Sequence, residues 1–407
     1  MKKKLQKFLL DLKQKVPDVS FQIDLWDGDR IKFGSGKPAF KLVLINKKCA
    51  ENILMNGELG FCEAYMAGNI IVEGDFQQLM RVGALTLPSK LQLSLSSKID
   101  FLFRYLRYLN FPGRAHKNIS HHYNLGNNFY RLWLDKSMAY SCAYFHHADD
   151  SLEQAQQQKY DYICRKLRLS EGETLLDVGC GWGGMLIYAA KHYGIKGVGC
   201  TLSKQQVKFS QQKIRDAGLE TQISIQYMDY RDLTGQFDKF VSIGMFEHVG
   251  REFIPLFMKK IKTLLKPGGL GLLHTIGKDK KSFVNLWTMK YIFPGGYLPS
   301  LDEIVHAMGK TGLVPVDIEN LRLHYAMTLD KWSERFEAHT DEIKQMFDET
   351  FVRMWRLFLN GSAAGFRYGK LRLFHVAFTN GLNNALPLTR TELYREFREG
   401  SKYQNSK

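Results

Sequence analysis

Short apolar runs alternate with amphipathic helical patterns through the middle of the chain. The apolar runs predict strands at 174–178, 196–200, 223–227, 238–243 and 269–275. Apolar residues at helical spacing predict helices at 184–192, 203–216 and 251–265. This rhythm is typical of an α/β fold in which a doubly wound, Rossmann-like parallel sheet binds its ligand at the carboxyl ends of the strands.

The first hundred or so residues follow a different pattern. Residues 21–33 predict a hairpin with Asp27-Gly28 at its turn, and residues 40–45 predict a third strand. Helical patterns follow at 49–56, 59–67 and 76–87. Together these elements predict a smaller N-terminal α+β domain.

The string Phe111-Pro-Gly-Arg-Ala predicts a domain boundary, because proline and glycine interrupt helices and strands. We therefore predict an N-terminal domain at 1–110, a catalytic domain at 111–385 and a polar tail at 386–407. Within the catalytic domain, Phe283–Ser300 is rich in aromatic residues and methionine. This stretch predicts an apolar insertion, a lid that lines a long pocket.

A glycine-rich turn follows the strand at 174–178. Asp177 precedes Gly179, Gly181 and Gly183, and such glycines let the backbone approach a ligand where a Cβ would clash. A dinucleotide site would need G-x-G-x-x-G and an acid about twenty residues later. The next strand instead ends at Thr201 without a carboxylate. The spacing favours the turn of an S-adenosylmethionine methyltransferase, with a purely structural strand-turn-helix corner as the alternative.

The charge indicates an anionic partner. Among 407 residues, 57 Lys and Arg against 41 Asp and Glu give a formal net charge of +16, which suits nucleic acid or an anionic membrane surface. Because the basic residues are spread along the chain without a recognition motif, nucleic acid is not expected. Residues 97–110 predict an aromatic helix, with Arg104 and Arg107, that packs on the next domain or on lipid. No apolar run approaches the ~18 residues of a membrane span, so any membrane contact would be peripheral.

Cysteine and histidine usage gives no sign of a metal. The six cysteines show no metal-binding spacing, and His121 and His122 lack matching carboxylates. We interpret the cysteines as reduced thiols of a cytoplasmic protein. The apolar run near the N-terminus is too short for a secretion signal.

Several strings spread over residues 114–378 resemble, in the same order, those of one family. They are Tyr140-Ser-Cys-Ala-Tyr, Leu176-Asp-Val-Gly-Cys-Gly-Trp-Gly-Gly, Thr201-Leu-Ser, Asp229-Tyr-Arg-Asp, Gly244-Met-Phe-Glu-His-Val-Gly, Leu273-His-Thr-Ile-Gly and Lys290-Tyr-Ile-Phe-Pro-Gly-Gly. The family is that of the cyclopropane-fatty-acyl-phospholipid synthases and their mycolic-acid relatives. The N-terminal residues are similar to the extra domain of its longer bacterial members.

The resemblance implies a class I S-adenosylmethionine-dependent methyltransferase domain. The residues that it implies for the cofactor are Tyr140, Ser141, Asp177, Gly179, Gly181, Gly183, Thr201, Gln206, Tyr230 and Arg231. The implied partner is an unsaturated phospholipid in an anionic membrane, bound peripherally at the inner face of the cell membrane. The family also tends to form homodimers.

The resemblance further implies a reaction in which a cis double bond of the lipid attacks the sulfonium methyl group and leaves a carbocation. A base then removes a proton so that a cyclopropane ring closes. The implied base is a bound bicarbonate ion, held by Cys142, Glu247, His274 and Tyr325, while His248 is interpreted as structural. A dry pocket with aromatic faces would protect the cation from water.

Other functions stay open at this stage. Methyl transfer to the same alkene without ring closure is one alternative, and methylation of a small amine is another. For residues 1–110 alone, a non-catalytic lipid carrier is a third. The ring-closing reaction needs all four residues of the bicarbonate set, and all four are present.

Overall fold

The computed structural model describes residues 2–86, 125–282 and 284–394. The predicted aromatic helix at 97–110, the pair His121 and His122, and the chain beyond 394 lie outside the described residues. In chain order the helices are α1 (Lys2–Lys15), α2 (Lys47–Met66), α3 (Phe76–Thr86), α4 (Asn127–Arg131), α5 (Leu152–Leu167), α6 (Gly184–Tyr193), α7 (Lys204–Asp216), α8 (Ile254–Leu264), α9 (Leu286–Tyr291), α10 (Leu301–Thr311), α11 (Arg322–Ala338), α12 (Thr340–Met346) and α13 (Glu349–Arg367). The strands are β1 (Phe21–Asp24), β2 (Arg30–Phe33), β3 (Phe40–Leu44), β4 (Ile70–Gly74), β5 (Thr174–Val178), β6 (Lys196–Thr201), β7 (Ile223–Tyr227), β8 (Phe237–Ile243), β9 (Leu265–Lys278), β10 (Leu313–Asn320) and β11 (Leu371–Asn380).

The described residues fall into two compact units. The first unit contains those within 1–109 together with 285–294 and 329–370, and the second contains the rest. The predicted division differs, because it assigned 285–294 and 329–370 to the catalytic domain. These segments belong to the first unit because α13 packs on α2 and α3. A hydrogen bond of 2.5 Å from Gln77 Nε2 to Asn360 Oδ1 joins α3 to α13.

The first unit contains a four-stranded sheet with the strand order β2-β1-β3-β4. The predicted hairpin is confirmed, since β1 and β2 pair antiparallel. Strand β4 was not predicted. The two helices predicted at 49–56 and 59–67 are confirmed as the two helical segments of α2, which a kink separates at Gly57, where φ is +57° and the backbone is not helical. Glycine supplies this left-handed conformation without the steric cost of a side chain.

The second unit contains a seven-stranded sheet with the order β10-β11-β9-β8-β5-β6-β7. Strands β5 to β9 are parallel to one another, and β11 pairs antiparallel with both β9 and β10. The α/β prediction is therefore confirmed, while β10 and β11 were not predicted. The predicted turn at Lys266-Pro-Gly-Gly forms a bulge within β9, because Leu265 pairs with Phe237 and the next paired residue is Leu270.

Helices cover both faces of this sheet, and neighbouring strand residues point to opposite faces. Leu175, Val241 and Leu272 pack in one buried cluster with residues of α5, α6 and α7. Leu176, Phe240 and Leu273 pack in the other with residues of α8 and α10. The strands are therefore apolar at consecutive positions, as expected for a parallel sheet buried on both faces. Among the helices in the described part of the chain, none has the length and apolar content needed to cross a bilayer.

Helix α5 precedes the first strand of this sheet and has well-defined ends. Ser151 accepts a hydrogen bond from the backbone N–H of Gln154, whose side chain accepts one from the Ser151 backbone, so the two form a capping box. The helix ends at Arg168, whose φ of +50° is left-handed. These caps define the two ends of α5.

We predict that Phe257→Ala in α8 destabilises the second unit by about 3–5 kcal/mol, because it leaves a cavity in the core. Phe257 is 1% exposed, and its ring lies 5.0 Å from that of Phe246 and 5.2 Å from that of Tyr230. The neighbouring Leu256 is 47% exposed, so Leu256→Ala is the matched control and should change stability by less than about 0.5 kcal/mol. Urea unfolding followed by circular dichroism measures both, and equal midpoints would contradict this packing.

Candidate active site

A cavity lies at the carboxyl ends of β5, β6 and β8. Strand β5 has β6 on one side and β8 on the other, so the chain changes direction here, as at the ligand sites of open α/β sheets. The walls are formed by residues 137–141, 177–182, 200–202, 228–231 and 243–245, with Lys159, Gln206 and His248. All the residues predicted to bind the cofactor line this cavity except Gly183.

The three glycines of the turn have three different roles. All have left-handed φ values, of +82° at Gly179, +54° at Gly181 and +80° at Gly183. A Cβ at Gly181 would have no atom within 4 Å and would project into open space, as expected beside a ligand. At Gly179 it would lie 2.5 Å from Met245 Cβ, which corrects the prediction that this glycine makes room for the ligand.

The third glycine serves packing. A Cβ at Gly183 would lie 3.0 Å from Ile225 Cδ1 and 3.1 Å from Ser210 Cβ. These residues belong to β7 and α7, so the glycine lets α6 approach them closely. Gly183 was predicted as a cofactor residue because it completes the glycine spacing, but the structure places it behind the cavity wall.

Asp177, at the end of β5, is buried to 1% exposure. Its Oδ1 has no hydrogen-bond partner among the described residues. Burial raises the pKa of this carboxyl to about 7, and the positive charge of Lys159 opposes the increase. Lys159 was not predicted as a site residue. Its Nζ lies 2.9 Å from Ser141 Oγ and donates to it.

The segment at 140–141 is held on both sides. The Tyr140 ring packs against Tyr130 and Trp133, with ring centroids 5.5 and 5.4 Å apart. The Ser141 carbonyl accepts a hydrogen bond of 3.0 Å from Gln156 Nε2. These contacts fix the two residues at the edge of the cavity, where they were expected to close over the cofactor.

The ends of β6 and β7 supply polar groups. Thr201 Oγ1 donates to Gln206 Oε1 at 2.6 Å, and both side chains are buried. After β7, a short turn holds Tyr230 and Arg231, and the Arg231 guanidinium donates twice to Asp229, at 2.9 and 2.6 Å. Sequence reasoning missed Asp229, although it lies within the matching string Asp229-Tyr-Arg-Asp.

Glu247 lies in a short 3₁₀ turn just after β8. Its Oε1 accepts a hydrogen bond of 2.6 Å from the Ile276 backbone N–H, and its buried Oε2 has no hydrogen-bond partner among the described residues. Burial raises the pKa of Glu247 to about 7. Its neighbour His248, predicted to be structural, lines the cofactor cavity, and burial lowers its pKa to about 4.

His274 lies on β9, two residues before Ile276, and is 1% exposed. Its Nδ1 is 2.8 Å from Nε2 of His375, the residue directly opposite on β11. Its Nε2 is buried and has no partner within the described ranges. Burial keeps the pKa of both imidazoles far below the usual value, so both are neutral. No pattern in the sequence pointed to His375, because β11 was not predicted.

Cys142 and Tyr325 come from other elements. Cys142 is fully buried, its Sγ donates to the Ala143 carbonyl at 3.1 Å, and burial raises the pKa of the thiol. The Ala143 N–H donates at 2.9 Å to Thr328 Oγ1, on the helix that carries Tyr325. The positive charge of Lys159 lowers the pKa of both Cys142 and His274, although burial is the larger cause at each. None of the four predicted catalytic residues lines the cofactor cavity itself.

Two features fit S-adenosylmethionine. The space beside Gly181 is open to a ligand, and Asp177 Oδ1 is a buried acceptor that a ligand ammonium could satisfy. Glu247 Oε2 and His274 Nε2 are likewise buried polar atoms without partners, which fits a small anion that carries a proton. No group of three or more His, Cys, Asp or Glu side chains in the described ranges could hold a metal ion.

Comparison with known proteins agrees with this geometry. Residues 112–376 match the family described as mycolic acid cyclopropane synthetase, and residues 8–92 match a family described only as a domain of unknown function. A probable fatty acid methyltransferase of Pseudomonas putida is 38% identical over 92% of this chain and 96% of that protein. The cyclopropane-fatty-acyl-phospholipid synthase of Escherichia coli is 39% identical over 84% of this chain and 88% of that protein.

Solved structures match about two thirds of the chain. The cyclopropane synthase MmaA2 from Mycobacterium tuberculosis is 32% identical, with a TM-score of 0.63 over 65% of this chain and 98% of that one. The mycolic acid cyclopropane synthase CmaA1, solved with S-adenosylhomocysteine, is 33% identical with a TM-score of 0.62 over the same shares. The protein is thus an S-adenosylmethionine-dependent methyltransferase, and the chain belongs to the mycolic acid cyclopropane synthetase family.

Proposed function

We propose that this protein is a cyclopropane-fatty-acyl-phospholipid synthase, which adds a methylene group to the cis double bond of an unsaturated phospholipid acyl chain. The observation that carries the proposal is the pair of buried atoms without partners, Glu247 Oε2 and His274 Nε2. His274 pairs with Ile243, the last residue of β8, and Glu247 lies in the turn that follows β8. Ring closure needs a base that removes a proton from the transferred methyl group, and these two atoms could hold such a base.

S-adenosylmethionine, when bound, supplies an electrophilic methyl group. The chain's own task is to keep the alkene and the lipid carbocation dry, because water would trap the cation. Cys142, Glu247 and His274 are each at most 7% exposed, so water has little access to this region. The Cys142 thiol is kept neutral by burial, and its proton is used in the bond to the Ala143 carbonyl. It is therefore not the base.

The proposal includes a bicarbonate ion as the base. Glu247 Oε2 would accept the hydrogen bond of its hydroxyl group, and His274 Nε2 and the Tyr325 hydroxyl would donate to its charged oxygens. Cys142 would contribute through its backbone. Because Glu247 Oε1 is fixed by the Ile276 N–H, the other oxygen has a defined direction.

One alternative is supported by a relative. The Pseudomonas putida protein carries the name probable fatty acid methyltransferase, so methyl transfer to the alkene without ring closure is a second candidate. Both reactions add one CH2 to the acyl chain. They differ in the product, since a methylated alkene still takes up hydrogen and a ring does not.

The substrate is tested by incubating the protein with S-adenosylmethionine and vesicles of an unsaturated phospholipid. We expect the acyl chain to gain one CH2 by mass spectrometry and to resist catalytic hydrogenation.

We also propose that the net charge of +16 holds the protein on anionic bilayers. Activity on anionic vesicles should then fall steeply with salt, because each basic residue near the surface contributes about 1 kcal/mol. A product that takes up hydrogen would favour the alternative, and equal activity on neutral vesicles would refute the charge argument.

We predict that Gly181→Val weakens binding of S-adenosylmethionine by at least about tenfold, equivalent to 1.4 kcal/mol, because its side chain enters the cavity. Gly218→Val is the matched control: Gly218 also has a left-handed φ, of +67°, and a Cβ there would have no atom within 4 Å, but it lies outside the cavity walls. Both variants carry the same backbone strain. Calorimetry should show weak binding for Gly181→Val alone, and equal loss in both would mean that strain, and not the cavity, is responsible.

We predict that Glu247→Gln binds S-adenosylmethionine and lipid normally but turns over about 100-fold more slowly, the range for loss of general-base catalysis. The amide keeps the acceptor for the Ile276 N–H but offers a donor where the ion needs an acceptor. His274→Ala should behave alike. The exposed Glu252→Gln, five residues along the chain, is the control and should keep full activity.

The same residue predicts a pH dependence. Because the pKa of Glu247 is raised to about 7, the carboxylate is lost as the pH falls through 7, so wild-type turnover should fall below that pH at constant bicarbonate concentration. Glu247→Gln should lack this limb. Removing bicarbonate should slow the wild type, and adding it should restore the rate. Near-full activity of Glu247→Gln without bicarbonate would refute the ion as base.

A further inference from the structure

Lys159 is a lysine buried inside the protein at the wall of the cofactor cavity. It is 1% exposed and lies in the middle of α5, whose capping box and left-handed end fix its position. Its Nζ donates to the Ser141 hydroxyl at 2.9 Å and lies 4.1 Å from the centre of the Tyr160 ring. Neither group carries a negative charge at neutral pH. A hydroxyl and a ring face compensate only part of the cost of burying an ammonium group.

Two other buried lysines of the same unit have carboxylate partners that compensate the cost of burying their charge. Lys166, two turns later on α5, contacts carboxylates of both Asp317 and Glu319, at 2.9 and 2.6 Å. Lys239 donates to two backbone carbonyls and lies 3.5 Å from Glu173. For Lys159, no Asp or Glu oxygen of the described residues lies within 4.0 Å of Nζ. Burial lowers its pKa to about 8, although the negative charges of Asp135 and Asp177 oppose the decrease.

The missing anion has a natural source in the cavity. S-adenosylmethionine carries one carboxylate, on its amino-acid end, and that end also carries an ammonium group. Asp177 presents a buried Oδ1 without a partner to the same cavity, and Lys159 and Asp177 each influence the other's titration. The cavity wall therefore offers one cation and one anion to a ligand whose end carries the opposite pair.

We propose that Lys159 binds the carboxylate of S-adenosylmethionine, alongside the Ser141 hydroxyl, while Asp177 faces the ammonium group. This arrangement explains how Ser141 would contact the cofactor. Its hydroxyl oxygen accepts a hydrogen bond from Lys159, so its hydroxyl proton can be donated to the ligand carboxylate. Gln156 holds the Ser141 carbonyl from the same face of α5. The inference rests on the cofactor and not on the proposed lipid substrate, so the two fail independently.

The experiment compares two ligands in two variants by calorimetry. S-adenosylhomocysteine has the amino-acid end, and methylthioadenosine lacks it while keeping the nucleoside. Lys159→Met keeps the length and the apolar stem of the side chain. It should lower the affinity for S-adenosylhomocysteine at least about tenfold, the range for a charge-assisted hydrogen bond. It should change the affinity for methylthioadenosine less than about twofold. Lys239→Met, a buried lysine away from the cavity walls, should bind both ligands as the wild type does.

Equal weakening of both ligands in Lys159→Met would overturn the proposal, because it would indicate general damage to the cavity. Unchanged binding of S-adenosylhomocysteine would overturn it as well, and would leave Lys159 as a partner of Ser141 alone. If Lys159→Met does not fold, the wild type still decides the question with the methyl ester of S-adenosylhomocysteine. That ester, which has no carboxylate charge, should bind at least about tenfold more weakly than the acid, and equal affinity would refute the ion pair.

Discussion

Desolvation at the carboxyl edge of the parallel sheet is the constraint on which the site depends. Helices cover both faces of the sheet. Polar side chains near the ends of its strands therefore lose their contact with water when the chain folds. Asp177 lies near the end of β5, Glu247 in the turn after β8 and His274 on β9, and each has one buried atom without a partner in the described part of the chain. Unsatisfied buried polar atoms cost free energy in the folded protein. A cofactor and an anion that supply the missing partners would recover it.

The sequence predicted the part of the fold in which apolar runs and glycines coincide. Strands β5 and β8 and the second half of β9 contain runs of apolar residues, and the glycine turn follows β5 directly. Strand β10 could not be found in this way, because Val314-Pro-Val-Asp-Ile-Glu-Asn places acids and a proline where a buried strand is apolar. Its exposed edge position permits them, since β10 pairs only with β11 in the described sheet. The grouping of 329–370 with the N-terminal unit is likewise a matter of packing between distant segments, which local patterns do not encode.

Helix α5 shows why the candidate site was predicted in part. Its composition, rich in glutamine and charge, is typical of an exposed helix, and nothing in the local pattern marks it as buried. The structure buries Gln156, Lys159, Asp161, Arg165 and Lys166. Several of these polar groups contact distant parts of the chain: Lys159 donates to Ser141, Asp161 accepts from Tyr193 and Lys166 donates to Glu319. Motif matching finds residues on turns and strand ends, whereas a lysine whose role depends on such distant partners becomes visible only in the folded chain.

The unpredicted strand β11 also bears on the chemistry, through the pair His274 and His375. Two neutral imidazoles joined by one hydrogen bond share a single proton along it, so the donor can be either ring. If His375 Nε2 is the donor, His274 carries its own proton on Nε2, and that atom is a hydrogen-bond donor. If His274 Nδ1 is the donor, Nε2 presents a lone pair and would repel an anion. The bicarbonate ion proposed above would require the first arrangement, which His375 makes available. The histidine proposed to contact the ion would then depend on a partner one strand further from the cofactor cavity.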